Sequence, residues 1–231
     1  MIIGCYSEFL RVTRGAKEST IKHYIQGLTA INKMLASSDL PIRNVFEISS
    51  ATDIIMIKQY LDGNEDYIRK NKAGNNMYSA ALNHFVNFAN DEAYFNSLRI
   101  NKLDAPVPVE NSLQESGSLL LAEQVIRAEN YTCTINRTHE SYIDGRTYHS
   151  HMAGHHLIPI SCQKYFPVSL DVYANIVSLC PICKSRIHFG KCNDRVKMYE
   201  RLYDIRSKRL KASGIFVTFK EVLEFNQCAG E

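Results

Sequence analysis

No apolar run in the 231-residue sequence reaches the length that a membrane-spanning helix needs. The first ten residues, MIIGCYSEFL, lack the basic start and the long apolar core of a signal peptide. Internal repeats and low-complexity tracts are also missing, and a hydrophobic content of 45% is ordinary for a folded chain. We therefore expect a folded cytoplasmic protein.

A large excess of one charge is missing too, since the net charge is only +3. Residues 1–116 carry 12 Lys and Arg against 13 Asp and Glu, while residues 117–231 carry 15 against 11. The excess concentrates between Lys184 and Lys211, where ten basic residues accompany three acidic ones. Such a patch fits nucleic acid better than an acidic small molecule. For this run alone, a solvated helix face of mixed charge is the simpler interpretation.

Helical periodicity dominates the first hundred residues. Helices are predicted over STIKHYIQGLTAINKML, ATDIIMIKQYL, NEDYIRKN and NNMYSAALNHFVNFAND, with Gly63 and Gly74 between them. In the first of these, one face carries Ile21, Tyr24, Ile25, Leu28, Ile31 and Leu35. The pattern predicts a helical domain over residues 1–96, followed by a linker over 97–117 that contains two prolines.

Residues 118–231 are expected to form a second domain of different character. Helices are predicted over LLLAEQVIRAEN, DRVKMYERLYDIRSKRLKAS and FKEVLEF, and short β-like runs such as HHLIPI lie between them. The predicted apolar face of the long helix contains Val196, Tyr199, Leu202, Tyr203 and Ile205. The fold class is therefore predicted to be α+β. Because so small a β region could hardly hold a core alone, we expect a metal-stapled module flanked by helices.

Histidine and cysteine cluster in this second domain. Residues 131–190 hold six of the eight histidines and four of the seven cysteines. The odd number of cysteines and the CPIC motif favour metal ligation over disulfide bonding. Structural zinc needs four ligands, usually delivered as two short pairs. The predicted ligands are Cys180 with Cys183 and, from CTINRTH, Cys133 with His139, while Cys162 and Cys192 are rivals.

Two adjacent histidines stand at the edge of the predicted strand HHLIPI. Because consecutive strand residues point to opposite faces, His155 and His156 cannot share one environment. One of them can face a metal while the other faces a substrate. For a single histidine, a merely satisfied buried polar group would be the favoured interpretation.

In order along the chain, the segments GHHLIPI, LDVYANIVSLCPIC and RIHFG resemble the ββα-metal nucleases, also called HNH or His-Me finger endonucleases. The resemblance covers residues 130–191, and Cys133 and His139 stand where a zinc-bearing subgroup has its first ligand pair. The most similar subgroup is the McrA-like restriction endonucleases. The resemblance implies cleavage of double-stranded DNA by a bacterial-type, cytoplasmic homodimer with structural Zn²⁺ and catalytic Mg²⁺ or Mn²⁺.

The resemblance also implies a role for each site residue. His156 would be the general base that activates water, and His155 and His188 would hold the catalytic cation. Asn175 would either brace the loop that carries the base or contact the metal, and we favour bracing. The residues expected to contact DNA are Lys184, Arg186, Lys191 and Arg195.

Two positions depart from the family's pattern. Members commonly have a histidine four residues before the last one, where this chain has Lys184, a poor metal ligand. A glutamate often stands two residues before the histidine pair, where this chain has Ala153. The alternative hypothesis is therefore a zinc-containing DNA-binding protein, such as a methylated-DNA reader, with a disabled nuclease site.

The helical domain before the nuclease-like region is similar to those that precede the catalytic part of many restriction enzymes. It also loosely resembles the DNA-clamping domains of tyrosine recombinases. The resemblance implies DNA recognition or dimerisation for residues 1–96. A third hypothesis, a nuclease toxin of the colicin kind, is disfavoured because the sequence offers no translocation segment.

Overall fold

The fold comes from a computed structural model, which describes residues 2–48, 51–91, 104–109, 117–145 and 147–228. These residues fall into two compact units, Ile2–Tyr94 and Phe95–Glu231. Both units are rich in helix, and the second contains a small two-stranded sheet. The predicted α+β class is therefore confirmed. Among the described helices, none combines the length and the apolar composition needed to cross a bilayer.

The first unit consists of helices packed around aromatic side chains. The helices are α1 (Ile2–Arg14), α2 (Glu18–Ala36), α3 (Ala51–Asp62), α4 (Glu65–Ala73) and α5 (Met77–Asn90), with a 3-10 helix at Val45–Glu47. Tyr6 and Phe9 of α1 meet Phe85 and Phe88 of α5, with ring centroids 5.2 Å apart for Tyr6 and Phe85. Among these described elements, helix α1 and the 3-10 helix were covered by no segment prediction.

The second unit surrounds an antiparallel pair of strands. Its elements are α6 (Leu119–Ala128), β1 (Ala153–His156), β2 (Ile176–Leu179), α7 (Pro181–Phe189), α8 (Cys192–Ala212) and α9 (Phe219–Phe225). Short 3-10 helices occupy Ile160–Tyr165 and Tyr173–Asn175. The register pairs His155 with Val177 and His156 with Ile176. Because α7 begins directly after β2, the chain runs strand, strand, helix around the histidines.

Helix α6 packs closely on one face of the strand pair. A Cβ added at Gly154 would lie 2.6 Å from the Cβ of Ala122. Real Cβ atoms do not approach so closely, so this contact requires glycine at position 154. Helix α7 lies on the side of β1 that carries His155, where the rings of His155 and His188 have centroids 5.0 Å apart. Strand β1 is thus covered on both faces.

The predicted apolar face of α8 is wrong at one position and incomplete at two. Ile205 is 45% exposed, whereas Arg206 and Arg209 are buried. Arg206 donates to Glu129 at 3.1 Å, and Arg209 donates to both oxygens of Asp104 at 2.6 and 2.8 Å. Buried guanidinium groups are tolerated because carboxylates pair with them. Two of the ten basic residues in this region therefore point inward.

Asp104 lies in the segment predicted as a linker, and the described part of that segment packs on the second unit. Val107 is buried, its carbonyl accepts from the amide of Ser169 at 2.7 Å, and Pro108 forms a β-bridge with Val168. Residues 104–109 therefore belong to the folded unit rather than to a free connection.

Candidate metal centre and histidine pocket

Four side chains of the second unit form a cluster that could hold a structural metal such as zinc. The ligand atoms of Cys133, His139, Cys180 and Cys183 lie within 4.8 Å of one another. His139 Nδ1 is 3.3 Å from Cys183 Sγ and 3.8 Å from Cys180 Sγ. Tetrahedral zinc, with Zn–S bonds of about 2.3 Å and Zn–N bonds of about 2.0 Å, separates such atoms by about 3.5 Å. The predicted ligand set therefore has the right size and composition.

Local backbone structure delivers the two halves of this cluster. Cys180 is the N-cap of α7, and its Sγ accepts from the amide of Cys183 at 3.5 Å. The loop that carries Cys133 is attached to β2, because Thr134 N donates to Ser178 O at 2.7 Å. Ser178 N donates back to Thr134 Oγ1 at 3.1 Å. The second strand thus connects both ligand pairs.

The electrostatics of the cluster also suit a cation. Burial opposes ionisation of the Cys133 thiol, but backbone hydrogen bonds from Cys180, Asn136 and Ile135 lower its pKa below the ordinary value. Burial and the neighbouring thiol groups of Cys133 and Cys180 raise the pKa of Cys183. Several thiolates at this spacing repel one another unless a cation neutralises them. A bound metal would remove this conflict.

The rival ligands lie elsewhere. Cys162 is buried in the 3-10 helix that follows the histidine strand, and the Cys192 thiol lies 3.6 Å from the carbonyl of Cys228. Among the described residues, no second cluster of three or more His, Cys, Asp or Glu side chains could hold a metal. Cys162 and Cys192 are therefore not part of the metal centre.

His155 and His188 line a pocket of about 380 Å³ together with His156, Lys184 and Arg195. His155 is buried, and its Nε2 has no hydrogen-bond partner among the described residues. Burial, followed by the charges of His188, His156 and Lys184, lowers the pKa of His155 to about 3. Burial, then Lys184 and Arg195, also lowers the pKa of His188. Both shifts favour the neutral imidazole, which is the form that binds metals.

Lys184 lies inside this pocket rather than on the outer surface. Its Nζ donates to the carbonyl oxygen of Gly154 at 3.1 Å, which places the ammonium group beside β1. Ala153, the residue before Gly154 on β1, has a methyl side chain and so contributes no ligand atom. Lys184 therefore places a positive charge in the pocket that His155 and His188 line.

His156 faces the opposite side of the strand from His155, as strand geometry predicts. Its Nε2 lies 2.9 Å from Oδ1 of Asp171, a carboxylate that is 3% exposed. The other oxygen of Asp171 accepts from the amide of Ser118 at 2.9 Å. Sequence reasoning missed Asp171, because nothing in the run SLDVYAN distinguishes it from an ordinary loop aspartate.

Asn175 is fully buried and hydrogen-bonded to the loop that follows β1. Its Oδ1 accepts from the amide of Ile158 at 2.9 Å, and its Nδ2 donates to the carbonyls of Ile158 and Leu170, each at 2.9 Å. All of its described partners are backbone groups. These hydrogen bonds join the loop after β1 to the backbone at Leu170, which is the geometry that the predicted bracing role requires.

The residues predicted to contact DNA differ in how far they are free to do so. Arg186 and Lys191 are exposed. Arg195 instead donates to the carbonyls of Ile187 at 3.0 Å and Asn226 at 2.8 Å, which ties α7 to the end of α9. Fewer than ten basic side chains between Lys184 and Lys211 are therefore exposed, because Arg206 and Arg209 are buried and Arg195 is bonded to backbone carbonyls.

Comparison with known proteins gives no match: no family model, no curated protein and no solved structure is similar to this chain.

Proposed function

We propose that this protein is a metal-dependent DNA endonuclease of the ββα-metal type, related to McrA-like restriction enzymes. The observation that carries the proposal is the arrangement of β1, β2 and α7, which brings His155 and His188 to one pocket and places His156 on the opposite side of the same strand end. Cys180 and Cys183 of the candidate metal cluster lie at the start of α7, so a bound metal would hold the helix that bears His188. Because His156 also lines this pocket, the arrangement supports the proposal of a base beside a cation site.

His155 and His188 would hold one divalent cation such as Mg²⁺ or Mn²⁺, which when bound supplies positive charge against the phosphate. The buried Nε2 of His155, which has no hydrogen-bond partner among the described residues, and the lowered pKa of both rings fit this role. His156 takes a proton from water as that water attacks phosphorus, the role that a positioned imidazole serves as a general base. Asn175 keeps the loop after β1 in place by binding its backbone.

We further infer double-stranded DNA as the substrate and a homodimer as the acting species. Arg186 and Lys191, exposed beside the pocket's helix, offer phosphate contacts that carry no sequence information. Cutting both strands at a symmetric site needs two active sites, which a twofold dimer supplies. The helical first unit is the part of the chain left to recognise DNA or to dimerise.

The fixed ammonium of Lys184 favours a second candidate function, a zinc-containing DNA-binding protein that does not cut. An ammonium group next to His155 and His188 repels a divalent cation and lowers the number of protein ligands available. Such a protein would bind DNA with strong salt dependence and leave it intact.

A cleavage assay separates the two candidates. Unmodified and cytosine-methylated plasmids are incubated with the full chain and Mg²⁺ or Mn²⁺, beside His156→Ala and the matched control His23→Ala, whose imidazole is exposed on α2. The nuclease proposal predicts discrete fragments that persist in the control and vanish in His156→Ala. Binding without cutting by every variant would support the second candidate, and Lys184→His would then be expected to restore cleavage.

A further inference from the structure

The His156 ring is enclosed by three residues to which the sequence analysis gave no role. Asp171 lies 2.9 Å from its Nε2, the amide of Ser118 binds the far oxygen of the same carboxylate, and Gly117 lies against the ring. We call Gly117, Ser118 and Asp171 the His156 clamp. Two of its members come from the start of α6 and the third from the loop before β2, so tertiary packing alone assembles it.

The clamp fixes which ring nitrogen can act as a base. An ionised carboxylate only accepts hydrogen bonds, so Nε2 of His156 must carry the hydrogen that it donates to Asp171. A neutral imidazole holds one hydrogen, and the lone pair is therefore on Nδ1. When Nδ1 takes a proton, the ring becomes a cation next to a buried carboxylate that stabilises its charge.

Gly117 gives the ring the room that this orientation needs. A Cβ added at position 117 would lie 2.3 Å from Cε1 and 2.9 Å from Nε2 of His156. Any other residue at position 117 would push the imidazole away from Asp171. The carboxylate itself is fixed, because Ser118 is the N-cap of α6 and its amide donates to Oδ2.

We propose that Asp171 is the positioning residue of this site: it locks His156 in the tautomer whose Nδ1 lone pair accepts the proton from water, while Gly117 leaves room for the ring. The proposal rests on the proposed nuclease function for its catalytic consequence. The tautomer itself can be measured without substrate.

The first test is the ¹⁵N NMR spectrum of the zinc-loaded full chain in mildly alkaline buffer, with His156→Ala used to assign the His156 signals. The wild-type ring should show hydrogen on Nε2. In Asp171→Asn, the amide of Ser118 still requires an acceptor, so the Asn oxygen should turn toward Ser118 and its NH₂ toward His156. The ring should then carry its hydrogen on Nδ1. A wild-type signal with hydrogen on Nδ1, or no change in Asp171→Asn, would overturn the proposal.

The second test measures DNA cleavage by the same proteins. Asp171→Asn should lower kcat by about 100-fold or more with KM nearly unchanged, since a positioned base contributes about 10²–10⁴-fold. Asp171→Glu should recover part of the rate, and Gly117→Ala should lower kcat although it leaves the carboxylate intact. The control Asp204→Asn, exposed on α8, should cut at the wild-type rate. Zinc content verifies that each variant is folded around its metal centre.

The two tests keep the two proposals apart. If wild-type protein never cuts DNA, the nuclease proposal fails and the NMR result alone decides the tautomer. If wild type cuts and Asp171→Asn cuts equally well, the positioning role is refuted while the nuclease proposal stands.

Discussion

Replacing Asn175 with alanine should loosen the loop that carries His156. The substitution removes the partners of three buried groups: the amide and carbonyl of Ile158 and the carbonyl of Leu170. Leaving a buried polar group unsatisfied costs about 1–3 kcal/mol, so three such groups cost about 3 kcal/mol or more. At about 1.4 kcal/mol per factor of ten, local opening should become about 100-fold more frequent.

Native-state hydrogen exchange is the suitable assay, because the chain has no tryptophan for fluorescence. The amide of Leu157, which donates to the carbonyl of Asn175 at 2.8 Å, should exchange about 100-fold faster in Asn175→Ala. Asn193→Ala, exposed on α8, is the matched control and should leave the rate unchanged. An increase below about tenfold would refute the bracing role and return Asn175 to the alternative of a metal contact.

Three further outcomes are expected. Cys183→Ser should lose zinc and lower the Tm of the second unit. Cys162 is a buried cysteine outside the cluster, so the control Cys162→Ser should retain the metal. Zinc analysis and calorimetry measure both outcomes. Glu129→Ala leaves the Arg206 guanidinium buried without this carboxylate and should cost about 3–5 kcal/mol in urea unfolding, whereas Arg206→Met should cost less. Burial and the nearby Arg14 lower the pKa of His84 in the folded chain. As pH drops below about 6.5, His84 is therefore protonated in the unfolded chain before it is protonated in the folded one, and the free energy of unfolding should fall. His84→Phe should flatten this part of the curve of urea midpoint against pH, and an unchanged curve would contradict the assignment.

The parts of the fold that follow from local periodicity were predictable. Helix α2 buries Ile21, Leu28, Ile31 and Leu35 as its spacing indicates, and strand β1 places its two histidines on opposite faces. The four metal ligands were also predictable, because short Cys and His pairs are a local signal of a zinc site. Each of these signals comes from residues close together in the sequence, although the two ligand pairs that meet in the fold are themselves at least 41 positions apart.

The features that were missed depend on long-range contacts. Asp171 and Ser118 are 53 positions apart, and Arg209 and Asp104 are 105 apart. A hydrophobicity pattern assigns Arg206 to the solvent side of α8. The pattern carries no information about the carboxylate of Glu129, which pairs with the Arg206 guanidinium in the fold. Gly117 could have been read only as a turn residue, since its contact with His156 exists only in the folded unit.

The positions of the metal ligands along the chain have a consequence for the speed of folding. Cys133 and Cys183 are 50 positions apart and enclose both strands. Closing a loop of that length costs about 3.5 kcal/mol of chain entropy before any contact repays it. A metal that bridges the two ends keeps this loop closed, so strand pairing becomes a search over a short distance. If the cluster binds its metal before the strands pair, we expect the refolding rate of the second unit to rise with the metal concentration.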